Sequence, residues 1–351
     1  MADWNYGAGD AEAVKLYSRK LFRQAIPMTA ASKLCLNALN PRDPNNVIQF
    51  LDDTQKTSGD TIKYDVVNTI NIPGVQGDNI IDGNEAALVT YQDTLVIDQL
   101  RFPVLIRGAM SQQRVPFSMR NAAQDVLALA WRERMDVGLL NQLGGNSLQT
   151  DVRYTGMQAA TLPTSANWFV AGQVNGTAGE AALTSANNMD LTLINKLKSF
   201  CQVCTYPIRP IAFKGGVESY IMIMHPFQAQ KLKNSTAAGS WGDIQLAALK
   251  GGEITGNPLF TGALGLYENT LLFSDQHVPY GNSLSNTRPG QALFPSATDA
   301  STVYTYNTAR AVFLGAQAGV VGFGRAMDWP MRIKWVEKST EKVYSVNGPP
   351  C

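Results

Sequence analysis

Hydrophobic positions along the chain follow two periods, and the longest helical one runs from Ser118 to Gly145. Within it Ala123, Leu127, Trp131, Met135, Leu139 and Leu143 recur every four residues. Ala122, Val126, Leu129, Ala130 and Leu140 widen that row into a broad apolar stripe. The pattern predicts a helix over 118–143 with one side buried along its whole length. Both ends are written in the sequence: Ser118 can cap the first turn with its hydroxyl, and Gly144 with Gly145 permits a left-handed exit. At 1.5 Å per residue, about 26 residues make a rod of roughly 39 Å, far beyond the usual ~11–12-residue helix. Such a rod serves as a spine for the elements around it.

Before the spine, Ala11 to Ala25 carries a helical pattern through Val14, Leu16, Tyr17, Leu21 and Phe22, which Pro27 stops. A shorter segment, Ala31 to Leu39, ends at Asn40-Pro41. Residues 1–46 therefore predict an arm that packs on something other than the main core. From Lys56 to Arg107 the period becomes alternating, with Ile62, Tyr64 and Val66 in one run and Leu95 and Ile97 in another. These predict two long strands. The stretch between them, with Pro73, Gly74, Gly77 and Gly83, is too long for a tight turn and too polar for a core. Residues 47–106 thus predict an extended β-loop and its base, projecting from the body to bind something.

After the spine, Asn146 to Asp190 is polar and reads as a surface insertion, 146–190. Leu191 to Val203 predicts a second helix, Val217 to Met224 a buried strand, and His225-Pro226 the opening of a short helix through Leu232. Trp241 with Ile244 to Leu249 continues a helical pattern, while Leu271–Phe273 and Val303–Tyr306 predict short strands. Met331, Ile333 and Trp335, then Val343 and Tyr344, predict strands that return to the spine. At 351 residues two or three lobes are expected.

Composition narrows the functional classes. A net charge of +1 implies no strongly basic surface for nucleic acid. Charged residues make up 16% of the chain, low against a typical ~25%, as suits a protein that buries much of its outside against other chains. No apolar run reaches the ~20 residues that span a bilayer; Ala311 to Gly324 comes nearest and is interrupted by Arg310 and Gln317. With no secretory pattern in MADWNYGAGD, a protein made in the cytosol with no membrane partner is expected, its four cysteines reduced.

Sharper chemistry finds little support. Cys201-Gln-Val-Cys204 has the spacing of half a zinc site or a redox pair, but His225 and His277 lack ligand spacing and helix-end thiols are the better reading. His225 has no nucleophile motif beside it and reads as a packed or capping residue. Asp52-Asp53 reads as a solvated turn, and Gly319 to Gly324 misses the dinucleotide fingerprint and reads as close backbone packing. No catalytic residue, cofactor or metal ligand is expected.

Several short motifs occur together in one order: Gly59-Asp60-Thr61-Ile62, Gly77-Asp78, Gly83-Asn84-Glu85, Ile97-Asp98-Gln99-Leu100-Arg101 and Arg114-Val115-Pro116-Phe117 leading to Arg120. Downstream stand Met224-His225-Pro226, Gly256-Asn257-Pro258-Leu259-Phe260, Gly262-Ala263-Leu264-Gly265 and Leu314-Gly315-Ala316-Gln317-Ala318. Over residues 59–320 this order resembles the major capsid proteins of tailed bacteriophages with the Hong Kong 97 (HK97-like) fold, in the group named after phage N-four.

The resemblance implies an α+β capsid fold: N-terminal arm 1–46, extended β-loop (E-loop) and base 47–106, and peripheral domain 107–204 with its spine helix. The axial domain would be 205–310, and 311–351 would return to the peripheral domain. It implies a structural protein of the virion, not an enzyme, that assembles with itself into pentamers, hexamers and neighbouring capsomers and expands on maturation. Its partners would be a portal protein, scaffold and decoration proteins, and packaged double-stranded DNA held by weak, sequence-independent contact. Asp78, Asp82 and Glu85 in the loop would seek partners, with Arg101, Arg114 and Arg120 near the spine available, and Trp241 would cluster near the five- and six-fold axes. The loop's nearest lysines, Lys56 and Lys63, lie away from its tip, so no covalent link is expected. Two other readings stay open at this stage: an encapsulin-like compartment shell, and a metal or thiol enzyme built on Cys201 and Cys204.

Overall fold

The computed structural model describes residues 34, 43–51, 61–67, 74–83, 85, 87–88, 90–97, 100–107, 118–147, 159–163, 167–171, 183, 186–204, 207–212, 218–235, 265–281, 308–323, 332–338 and 341–347. The first predicted arm helix, the Trp241 to Leu249 pattern and the Val303 to Tyr306 strand lie outside these residues. Of the second arm segment Leu34 is described, and it is buried in the core with Ile48 and Leu140 rather than apart from it, its apolar side chain finding cover within the chain.

Strand β6 (Glu218–Met224) is buried from Ser219 onward, as a strand covered on both faces requires. Its neighbours are β11 (Val312–Leu314), antiparallel, and β8 (Thr270–Ser274), parallel, with β7 (Gly265–Tyr267) beyond β8 and the short β5 (Ile211–Ala212) pairing with the start of β6. Alternation sends the side chains of β6 into two cores. Ile221 and Ile223 join Val47, Ile48, Leu140, Ile211, Val278, Val312 and Leu314. Met222 and Met224 join Met189, Ile194, Ala229, Leu232 and Leu272, which brings in helices α2 (Leu191–Val203) and α3 (Pro226–Lys233). Burying each such side chain contributes about 1.5–3 kcal/mol, so this strand is the energetic centre of the lobe.

The spine, α1 (Met119–Leu143), forms as the apolar pattern predicts. Ser118 Oγ accepts from the Asn121 N–H, and the last turn closes through Asn146 N–H to Asn141 O at 2.8 Å and Gly145 N–H to Gln142 O at 3.1 Å. Gly145 takes the left-handed conformation (φ 60°) that this ending needs. Burial along the spine differs from the expectation of one continuous face. The first half buries Gln124, Leu127, Ala128 and Trp131, while the second half buries Asp136, Val137, Leu140 and Asn141. At about 100° per residue these two sets point to roughly opposite sides of the helix. Val126 and Leu129, expected in the buried stripe, are 61% and 55% exposed because they share the side of Leu140 at the end where that side faces out. A strict four-residue row drifts by about 40° per step, so no six-membered row of that kind stays on one face.

The switch lets one rod serve two bodies. Its first half meets the sheet β13 (Arg332–Lys338), β14 (Glu341–Asn347), β4 (Arg101–Arg107), in which β14 is central and antiparallel to both neighbours. Phe102 of β4 packs edge-on against Trp131, centroids 4.9 Å apart at 87°. Pro103 is tolerated because β4 is an edge strand. The second half of the spine enters the core of β6. Alongside runs a parallel pair of β1 (Ile48–Leu51) and β12 (Gly319–Gly322). A Cβ on Gly319 would lie 3.0 Å from Ile48 Cδ1, the close backbone packing expected of this glycine-rich stretch. Strands β9 (Tyr280–Gly281) and β10 (Thr308–Ala309) form a short antiparallel pair beside it.

Candidate assembly surfaces

Strands β2 (Thr61–Val67) and β3 (Thr90–Val96) form the predicted hairpin, in antiparallel register from Thr61↔Val96 to Val67↔Thr90. Two-stranded ribbons are marginal in water, so the hairpin depends on its base. There Ile62 is buried, and both Ile62 and Leu95 approach Gly322 of β12 so closely that a Cβ would sit 3.1 and 3.4 Å from their methyls. Further out the pair is held by polar chemistry. Tyr64 and Asp93 are register partners, and the phenol donates to the carboxylate at 2.6 Å. Partial burial and this hydrogen bond push the Tyr64 phenol up to about 12, while the Tyr64 donor, helped by the Thr94 N–H, holds Asp93 below the usual carboxylate range.

Beyond the strands the described loop residues are exposed. Gly74, Gly77 and Gly83 adopt left-handed φ values of 70°, 67° and 88°, and a Cβ at any of them would meet no atom within 4 Å. The glycines therefore serve backbone shape. Asn79 Nδ2 donates to Gln76 O at 2.8 Å, and the Gly83 N–H donates to Glu85 Oε2 at 2.9 Å. Ile80, Ile81 and Leu88, at 73%, 69% and 61% exposure, place three large aliphatic side chains in solvent at the end of this projection. A second exposed apolar pair is Val126 and Leu129 on the outer side of the spine. Covering such side chains contributes about 1.5–3 kcal/mol each, a driving force the single chain leaves unused.

The predicted interface residues fall into separate places. Asp78, Asp82 and Glu85 share the exposed loop, Arg101 is exposed at the start of β4, and Arg120 lies in the first turn of α1. Arg114 and Trp241 lie outside the described residues.

Sequence reasoning missed Arg310. It is buried, donates through Nη1 to Gly144 O at 3.1 Å and Gly145 O at 2.8 Å, and its guanidinium lies 4.8 Å from the Trp168 ring. A cation on the last carbonyls of the spine opposes the negative end of the helix dipole. Trp168 belongs to the predicted surface insertion, so Arg310 fastens that insertion to the end of the spine. Nothing local in the sequence marks the role, since the partners stand more than a hundred residues away.

The enzyme-like motifs resolve into structure. Cys201 is buried at the end of α2, and burial, with a smaller contribution from Cys204, pushes its thiol up to about 11, away from thiolate chemistry. Cys204 caps the helix, its N–H donating to Phe200 O. His225 caps α3: its Nδ1 accepts from the Phe227 N–H, its N–H donates to Gln228 Oε1, and its ring stacks on Tyr280 at 4.5 Å. Among the described residues no group of three or more metal-ligating side chains is assembled, and no helix is long and apolar enough to cross a membrane.

The described structure thus holds a spine helix shared between two sheets and a hairpin whose loop carries the exposed Ile80, Ile81 and Leu88. The profile of the phage capsid protein family matches residues 5–346, and the chain belongs to that family. It is 26% identical over 292 residues to the major capsid protein of Pseudomonas phage KPP25, covering 78% of this chain and 74% of that protein. Its fold resembles the capsid of Ralstonia phage GP4, with a TM-score of 0.68, 25% identity and coverage of 88% and 82%. It also resembles the capsid of cyanophage Pam1, with a TM-score of 0.61, 15% identity and coverage of 89% and 85%. The α+β fold is thus HK97-like, and the protein is a structural component of the virion that assembles into capsomers; the enzyme and compartment-shell readings are not favoured.

Proposed function

We propose that this chain is the major capsid subunit of a double-stranded-DNA phage, forming the hexamers and pentamers of an icosahedral head that encloses the genome. The observation that carries the mechanism is the hairpin loop: Ile80, Ile81 and Leu88 are exposed beyond a ribbon whose base packs against Gly322. In the shell they bury against a neighbouring copy, with the outer face of its spine helix, Val126 and Leu129, as the surface of matching character. Asp78, Asp82 and Glu85 then meet cationic residues such as Arg101, Arg114 and Arg120 across the boundary; each exposed pair contributes only ~0–1 kcal/mol, so these charges set register more than strength.

The domain division follows the same reading, with arm 1–46, loop and base 47–106, peripheral domain 107–204, axial domain 205–310 bearing Trp241, and return segment 311–351. Helix α2 and strand β11 pack with β6 and so tie peripheral and axial parts together. Loop glycines in open space allow the tip to swing as the shell expands on maturation. A portal protein, scaffold and decoration proteins, and weakly held DNA complete the partners. The test is electron microscopy with size-exclusion chromatography of the chain expressed alone and then with its gene neighbours. Closed shells or ring-shaped capsomers are expected; a monodisperse monomer under every condition would overturn the proposal.

A further inference from the structure

The exit of the spine follows a familiar pattern except at one contact. Gly145, left-handed at φ 60°, donates its N–H to Gln142 O at 3.1 Å, and the Asn146 N–H donates to Asn141 O at 2.8 Å. Those two bonds make the Schellman ending of a helix, in which the residue after the left-handed one commonly rests an apolar side chain on the residue whose carbonyl it caps. Here both of those positions are asparagine, and both are buried, Asn146 at 1% exposure and Asn141 at 4%. The first residue of the predicted surface insertion is thus inside the joint. The backbone around it is closely packed: a Cβ on Gly145 would lie 2.6 Å from Pro163 Cδ and 2.8 Å from Thr161 O, and Arg310 donates to Gly144 O and Gly145 O.

The two side-chain amides make one hydrogen bond, Asn146 Nδ2 to Asn141 Oδ1 at 3.1 Å. Among the described residues, the other ends of the same amides, Asn141 Nδ2 and Asn146 Oδ1, are buried with no partner. Turning both amides over exchanges their roles and leaves the same remainder, one donor and one acceptor. A buried polar atom without a partner is unfavourable, so these two point to a bound group. The remainder also sets its chemistry. A cation is repelled by the N–H and an anion by the carbonyl oxygen, and only a group that accepts and donates at once answers both. Neither atom is open to a group on another molecule, which leaves the smallest such group, water.

We propose that the spine exit is a built hydration site: one internal water accepts from Asn141 Nδ2 and donates to Asn146 Oδ1. A ring of two amides and a water then stands where other helix ends carry an apolar contact. It joins the last turn of the spine to the first residue of the insertion, beside the carbonyls that Arg310 holds.

The test is a map that shows ordered waters, from electron cryo-microscopy of the shell or from crystals of the free subunit. A single peak at about 2.7–3.2 Å from both Asn141 Nδ2 and Asn146 Oδ1 is expected. It should be missing in Asn141→Leu/Asn146→Leu, which supplies the apolar contact instead. Denaturant unfolding of the free subunit gives a second readout. Each single leucine variant strands the remaining amide and should lower the midpoint, while the double variant should recover most of that loss. A protein group in place of the peak, a peak that touches only one amide, no peak, or a double variant that loses as much as the two singles together would overturn the proposal. If a leucine variant does not fold, the wild-type map decides alone. Neither readout depends on whether the hairpin engages a neighbour, so the result is separable from success or failure of shell assembly.

Discussion

The β6 sheet and the β2–β3 hairpin are both β-structure, yet they handle apolar side chains in opposite ways. In β6 the residues from Ser219 to Met224 are buried, split between two cores that take up helices α1, α2 and α3. In the described part of the hairpin Ile62 at the base is buried, β3 is exposed over its first five residues, and Ile80, Ile81 and Leu88 in the loop beyond it are exposed. The same contrast appears in the glycines. Gly145 and Gly77 share a left-handed backbone, φ 60° and 67°, but a Cβ on Gly145 would lie 2.6 Å from Pro163 Cδ and 2.8 Å from Thr161 O, while one on Gly77 would meet nothing. One region completes its contacts within the chain. The other has the shape of half an interface.

The sharpest way to break the folded half is Trp131→Ala, which empties the fully buried site against Phe102 at the point where the spine changes sides. A loss of about 3–5 kcal/mol is expected in denaturant unfolding of the unassembled subunit. Arg310→Met keeps much of the side-chain bulk but removes the donor to Gly144 O and Gly145 O, and should cost about 1.5–3 kcal/mol in the same measurement. Next comes the glycine pair. Gly145→Ala should lower stability by more than about 1 kcal/mol, because both backbone and neighbours resist it, whereas Gly77→Ala should cost less than half of that as the loop relaxes into open space. Smallest in unfolding is Ile80→Ser with Ile81→Ser, expected within about 0.5 kcal/mol of wild type, since neither side chain is covered in the subunit.

What could be read from the chain divides along the same line. Elements whose stabilising contacts lie close in sequence were legible: the Ser118 cap, the Gly144-Gly145 exit, the apolar run of β6 and the His225-Pro226 helix start. Strands β1 and β4 were not, because β1 is a four-residue strand paired with β12 far along the chain, and Pro103 disguises β4 until its edge position is known. Arg310 stood only as a break in an apolar run, although it fastens the end of the spine. Val126 and Leu129 show the reverse error. An aliphatic residue on a helix reads as core whether its cover is the same chain or another copy, and periodicity cannot tell the two apart. Of the interface set, the exposure of Asp78, Asp82, Glu85 and Arg101 is now visible.

The central claim is that the hairpin tip is an assembly element that contributes little to folding. The most direct measurement compares Ile80→Ser/Ile81→Ser with wild type in two readouts on one preparation: the unfolding midpoint of the free subunit, and the yield of closed shells by electron microscopy. The account predicts an unchanged midpoint together with a clear loss of shells. A lowered midpoint, or shells formed in normal yield, would contradict it.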